Sequence, residues 1–160
     1  MLMEKNHGNT ELRKALQKII NCELSYMGRF TKEFDDVICF GFEEISSDQL
    51  NIGSTSCRYK VYFYTDWRIN DSQLTNLFGI EDLYSDNNDE RISIVRELLI
   101  HSKVVDYEIG DYGDLHILLG NGYSIDVFNT KSQMIEQKIY SIVSSKDNKQ
   151  YEIMNTRFFE

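Results

Sequence analysis

The chain has 160 residues, no proline and a formal net charge of -9, with 41% hydrophobic and 27% charged residues. That length suits one α+β-sized domain with its own core, and ten Tyr, nine Phe and one Trp argue against disorder. The acidic balance disfavours nucleic acid and anionic membrane as partners, because a phosphate-binding face needs clustered Lys and Arg.

The opening "MLMEKNHG" carries no apolar core of a signal peptide, and residues 1–8 are expected to form a flexible tail on a cytoplasmic protein. Next, "TELRKALQKIINCEL" places Leu12, Ala15, Leu16, Ile19 and Ile20 on one helical face, with Asn9 or Thr10 as cap. Cys22, Cys39 and Cys57 are odd in number and widely spaced, so buried, reduced thiols are expected in place of disulfides or a zinc site.

After this helix the period shortens to two. "DDVICFGFEEI" reads as a central strand and "CRYKVYFYTDW" as an alternating one, joined by the polar "SSDQLNIGSTS" and therefore expected to pair antiparallel. Trp67-Arg68-Ile69 then falls at an expected strand end. The stretch "NDSQLTNLFGIEDLYSDNNDE", residues 70–90, has weak periodicity and is expected to be a long surface excursion; its second half, residues 79–90, holds five acids, Glu81, Asp82, Asp86, Asp89 and Glu90, and no base. "ERISIVRELLIHSK" follows as a second helix, with Ile92, Val95, Leu98 and Leu99 near one face and Asp89 as cap.

From residue 104 onward the pattern is a meander. "VVDYEIGD", "DLHILLG" and "YSIDVFN" are strands, the last two joined by a Gly-Asn-Gly hairpin signal, and "QKIYSIVSS" and "KQYEIMNTRFF" add two more. The expected architecture is a single α+β domain over 1–160. It has a mainly antiparallel sheet of about six to eight strands, with both helices packed on one face.

Few of the chemical signals are specific. "GNGY" joins strand to strand, so its glycines make a turn and no phosphate cradle. "DNNDE" spaces Asp86, Asn88, Glu90 and Glu97 like calcium ligands, but Arg91 occupies the position where the loop requires glycine, and no metal or other cofactor is expected. His116 alternates away from Leu115, Ile117 and Leu119, which places it on the less buried face near Ser124 or Asp126. A pocket using His116, Asp126 and tyrosines would make the chain a small-molecule-binding domain or hydrolase, yet no nucleophile motif accompanies them.

The acids form a more coherent pattern. Asp106, Glu108, Asp111 and Asp114 make a second segment without a base, and the two segments together suit electrostatic steering of a basic partner. Trp67 has two readings: a buried anchor between sheet and helix, which is favoured, or an interface residue with Arg68, which could otherwise pair with Asp114 or Asp126. Aromatic strands also allow a homodimer.

Trp67, Arg68 and Ile69, followed by Gly113-Asp114-Leu115, Gly120 and Gly122, and Val127-Phe128, resemble a family of small uncharacterised bacterial proteins. Its members carry a Trp-Arg-Ile strand end, a Gly-Asp-Leu, an apolar strand, a glycine turn and a Val-Phe strand. The chain departs from the pattern at Thr65-Asp66, where Cys-Pro is common, and after Glu136, where a second Trp-Arg pair is replaced by "QKIY". Some members look like immunity proteins, so the resemblance implies a non-enzymatic cytoplasmic domain that neutralises a cognate basic toxin, such as a nuclease, by stoichiometric binding. The acids named above, with Trp67 and Arg68, would be its partner-binding residues.

Overall fold

In the computed structural model, residues 2–29, 37–44, 57–84, 86–110, 113–129, 138–145 and 148–154 are described. They form two α-helices, α1 (Leu2–Ile19) and α2 (Asn88–Leu99), and ten strands. The strands are β1 (Glu23–Arg29), β2 (Ile38–Glu43), β3 (Tyr59–Phe63), β4 (Trp67–Asn70), β5 (Asn76–Gly79), β6 (Val104–Ile109), β7 (Leu115–Leu119), β8 (Ser124–Val127), β9 (Lys138–Ser144) and β10 (Lys149–Met154). A short 3-10 helix, Ile80–Tyr84, precedes α2. No helix among the described residues is long and apolar enough to cross a membrane.

The strands make two antiparallel five-stranded sheets, β1-β2-β3-β9-β10 and β5-β4-β8-β7-β6, where the sequence pattern suggests one sheet of six to eight. Periodicity reports which way side chains point and is silent about where a strand changes sheet, which explains the difference. Here the change occurs at Tyr64-Thr65-Asp66, between β3 and β4. The chain stays paired through the corner: Tyr64 N donates to Ile139 O at 2.9 Å and Phe128 N to Asp66 O at 2.8 Å.

A second seam joins the edge strands β1 and β6. Leu24 N donates to Ser102 O, His101 N to Leu24 O and Val104 N to Cys22 O, each at 2.9 Å. The inner faces of both sheets share one apolar core with Leu12, Ala15, Leu16 and Ile19 of α1 and Ile92, Val95 and Leu99 of α2. Leu98, expected on that buried helical face, is exposed. The α1 helix begins at Leu2, so residues 2–8 have helical backbone.

Trp67 begins a strand and does not end one. Its ring is fully buried, packed edge-on against Phe40 of the first sheet at 6.5 Å and tilted against Phe78 of the second at 5.8 Å. The ring thus bridges the two sheets at the corner where the chain passes between them. Strand β5 and the 3-10 helix lie within the stretch expected to be an excursion, because Leu77, Phe78 and Leu83 supply enough apolar surface to dock it.

Candidate functional site

Arg68 alternates with Trp67 and Ile69, so it points away from the core onto the outer face of the second sheet. The register there aligns Arg68 with Asp126, Asp126 with His116 and His116 with Glu108 across β4, β8, β7 and β6. Four ionisable side chains thus form one row across the sheet. Asp126 is its hub: one carboxylate oxygen accepts from Asn70 Nδ2 at 2.6 Å and the other is hydrogen-bonded to His116 Nδ1. Arg68 lies over the Phe128 ring, its Cζ 5.2 Å from the centroid, a cation-π contact on this face.

Of the two neighbours the hairpin offered His116, Ser124 and Asp126, it is Asp126 that lies opposite and pairs with it. A carboxylate on Nδ1 fixes the imidazole tautomer and orientation, the arrangement that prepares a general base. The nearest hydroxyl, Ser124 Oγ, accepts from Asn70 Nδ2 at 3.4 Å in a fully buried residue, so it is not presented to a substrate. Beside Arg68, a depression of about 80 Å³ is lined by Asp66, Trp67, Arg68, Asn76, Gly79, Ile80, Glu81 and Asp82. Small-molecule sites commonly occupy about 300–1,000 Å³.

The acids of residues 79–90 do not act alike. Glu81, Asp86, Asp89 and Glu90 are exposed, whereas Asp82 is half-buried, accepts Gly79 N at 2.8 Å and pairs with Arg91. In the second segment Asp106 and Glu108 are exposed. Asp114 accepts Asn129 N at 2.7 Å, and Asp111 lies outside the described residues. Asp82 and Asp114 thus fasten the chain to itself.

The strands that adjoin the two segments, β5 and β6, are the opposite edges of the second sheet, four strand spacings or about 19 Å apart. Trp67, being buried, offers no surface to a partner. Among the described residues, no three His, Cys, Asp or Glu side chains converge as a metal site, and Asn88 to Glu90 of the calcium-like spacing are already helix.

The outer face of the first sheet is built differently. Cys39, Gly41 and Cys57 are buried there, with Ser25 Oγ 3.2 Å from Cys57 Sγ. Burial pushes the Cys39 thiol up to about 12 and Cys22 up to about 11, and raises Tyr62 as well, so these groups stay protonated and poorly nucleophilic. All three cysteines are buried.

Sequence reasoning missed four residues, Leu74, Ile94, Leu98 and Val105, which are large, apolar and exposed. The signal for two of them was available: Ile94 and Leu98 are four apart, off the Ile92-Val95-Leu99 stripe of α2, and an apolar pair on the wrong side of a helix seeks cover. Compared with protein-family models, curated proteins and solved structures, the chain matches none.

Proposed function

We propose that the chain is a non-enzymatic binding domain of the immunity type, a cytoplasmic protein that covers a basic toxin domain in a stoichiometric complex. The observation that carries this reading is the division of labour among its carboxylates. Asp82, Asp114 and Asp126 hold the fold together. Glu81, Asp86, Asp89, Glu90, Asp106 and Glu108 stand in solvent along both edges of one sheet. Like charges held apart on a rigid frame cost stability through self-repulsion, and they give back long-range attraction for a cation-rich partner.

The Trp-Arg-Ile family resemblance supports the same reading. Arg68, over the Phe128 ring on the exposed face, supplies a planar donor for a carboxylate or carbonyl of the partner.

The test is growth rescue by co-expression with a toxin encoded beside the chain's own gene, using wild type and a Glu81→Lys/Glu90→Lys/Glu108→Lys variant whose fold is verified by circular dichroism. Wild type rescues, and its association rate with the purified toxin falls steeply with added salt. The reversed variant loses at least about tenfold in association rate. Rescue and rate untouched by charge reversal would defeat the reading.

A further inference from the structure

Single exposed apolar side chains are ordinary on protein surfaces, and only their gathering is informative. Leu74 is 70% exposed, Ile94 54%, Val105 47% and Leu98 44%, and they come from three separate parts of the chain. All three parts meet the tip of the β7–β8 hairpin. A Cβ placed on Gly120 would lie 3.5 Å from Val105 Cγ1, Asn121 Nδ2 donates to Leu98 O at 3.0 Å, and a Cβ on Gly122 would lie 2.9 Å from Ser72 Cβ, two residues before Leu74. Ile94 is one helical turn before Leu98, on the same exposed side. The turn's three residues thus touch Val105 and the chain at Leu98 and at Ser72, so the four exposed residues lie along one end of the second sheet, from the β6 edge to the β4–β5 turn.

Leu74 adds an independent observation. Its φ is +62°, in the left-handed region that disfavours a leucine and favours glycine or asparagine. The β4–β5 turn enforces this: Asp71 Oδ1 accepts Gln73 N and Thr75 N, both at 2.9 Å, and Leu74 N donates to Asp71 O at 3.0 Å. A strained backbone that turns a large apolar side chain into water is a feature to be explained by what meets it.

The charges around the corner indicate the kind of partner. Glu90 and Glu97 flank Ile94 at four residues before and three after, and Asp89 precedes them. Lys103, beside Gly120, and Arg91, three residues before Ile94 and paired with Asp82, are cations near this face. Two copies of this face would set Glu90 and Glu97 against their equivalents in chains of net charge -9, which disfavours self-association.

We infer that this corner, Leu74, Ile94, Leu98 and Val105 around Gly120-Asn121-Gly122, is the apolar anchor of the interface, taking an amphipathic basic element whose apolar ridge is flanked by Lys or Arg. The inference rests on the binding-domain reading above and adds where the affinity resides. The acidic edges set the encounter rate, and the anchor sets the lifetime of the complex.

The experiment measures fluorescence anisotropy of a labelled helical leucine-lysine peptide, and of a serine-lysine peptide of equal charge, against the full chain and a Leu98→Ser/Val105→Thr variant. The leucine-lysine peptide is expected to bind about tenfold or more tighter than the serine-lysine one, with that advantage lost in the variant. Its melting temperature should stay near wild type, since both side chains are about half exposed.

If both peptides bind alike and both are released by salt or by Glu81→Lys/Asp106→Lys, the acidic reading stands and the anchor falls. If neither binds, both fall. A concentration-dependent dimer that the variant dissociates in sedimentation would assign the corner to a second copy and overturn the inference.

Discussion

The outer faces of the two sheets start from the same alternation and end with opposite characters. On the first sheet, Cys39 and Gly41 are as buried as the inward-facing Phe40 and Phe42 beside them, because Cys57 and Tyr26 close over that face. On the second, the equivalent positions hold Arg68, Asp126, His116 and Glu108, and the apolar corner lies at the end of the same sheet. One face is closed around Gly41 by Cys57 and Tyr26, while the other is kept polar. A strand pattern tells which residues share a face, and a segment distant in sequence decides whether that face meets water.

The sharpest contrast between inside and outside is at two adjacent residues. Trp67→Ala should cost about 3–5 kcal/mol by emptying the junction between Phe40 and Phe78. Arg68→Ala should cost under about 1 kcal/mol, since it removes a single exposed cation-π contact. Urea unfolding of both variants measures the difference, and a comparable loss from each would erase the distinction.

A pair of glycines contrasts the two faces directly. A Cβ at Gly41 would sit 2.4 Å from Cys57 Sγ and 3.0 Å from Tyr26 Cβ, so Gly41→Ala should destabilise by about 1–3 kcal/mol. At Gly120 the nearest atom would be 3.5 Å away, and Gly120→Ala should stay within about 0.5 kcal/mol of wild type. Asp126→Ala, which strands Asn70 and His116 on the polar face, should fall between them at about 1–2 kcal/mol.

Alkaline titration should report the closed face. Desolvation raises Cys39 from an ordinary 9.0 to about 12, so the unfolded chain releases this proton while the folded one keeps it. Stability is therefore full below pH 9 and declines as pH rises from about 9 toward 12, with Cys22 acting in the same direction up to about 11. Melting temperatures that stay flat over this window would show that the face is open to water. The smallest effect is at Leu74: Asn tolerates positive φ better, so Leu74→Asn should gain a few tenths of a kcal/mol while weakening the leucine-lysine peptide.

The legible parts of the fold were those with strong local periodicity. The face of α1, the antiparallel β2–β3 pair and the β7–β8 hairpin with His116 opposite Asp126 follow from spacing and turn glycines alone. The two-sheet division did not, because the crossing at Tyr64-Thr65-Asp66 depends on contacts with Phe128 and Ile139, over sixty residues away. Strand β1 was hidden in "ELSYMGR", whose mixed polarity suits a strand seamed to β6 and covered by α2. Of the site, the acids were visible as a composition, yet the two that brace the fold, Asp82 and Asp114, look the same in sequence as those that face solvent.

The most direct test of the account is a chemical-shift titration of the uniformly labelled chain with the leucine-lysine peptide. The account predicts shifts in the amides of Leu74, Leu98, Val105 and Gly120 to Gly122, weaker ones at Glu81 and Glu90, and none at Tyr26, Cys39 or Tyr62. Shifts concentrated on Tyr26, Cys39 and Tyr62, with the hairpin corner silent, would contradict it.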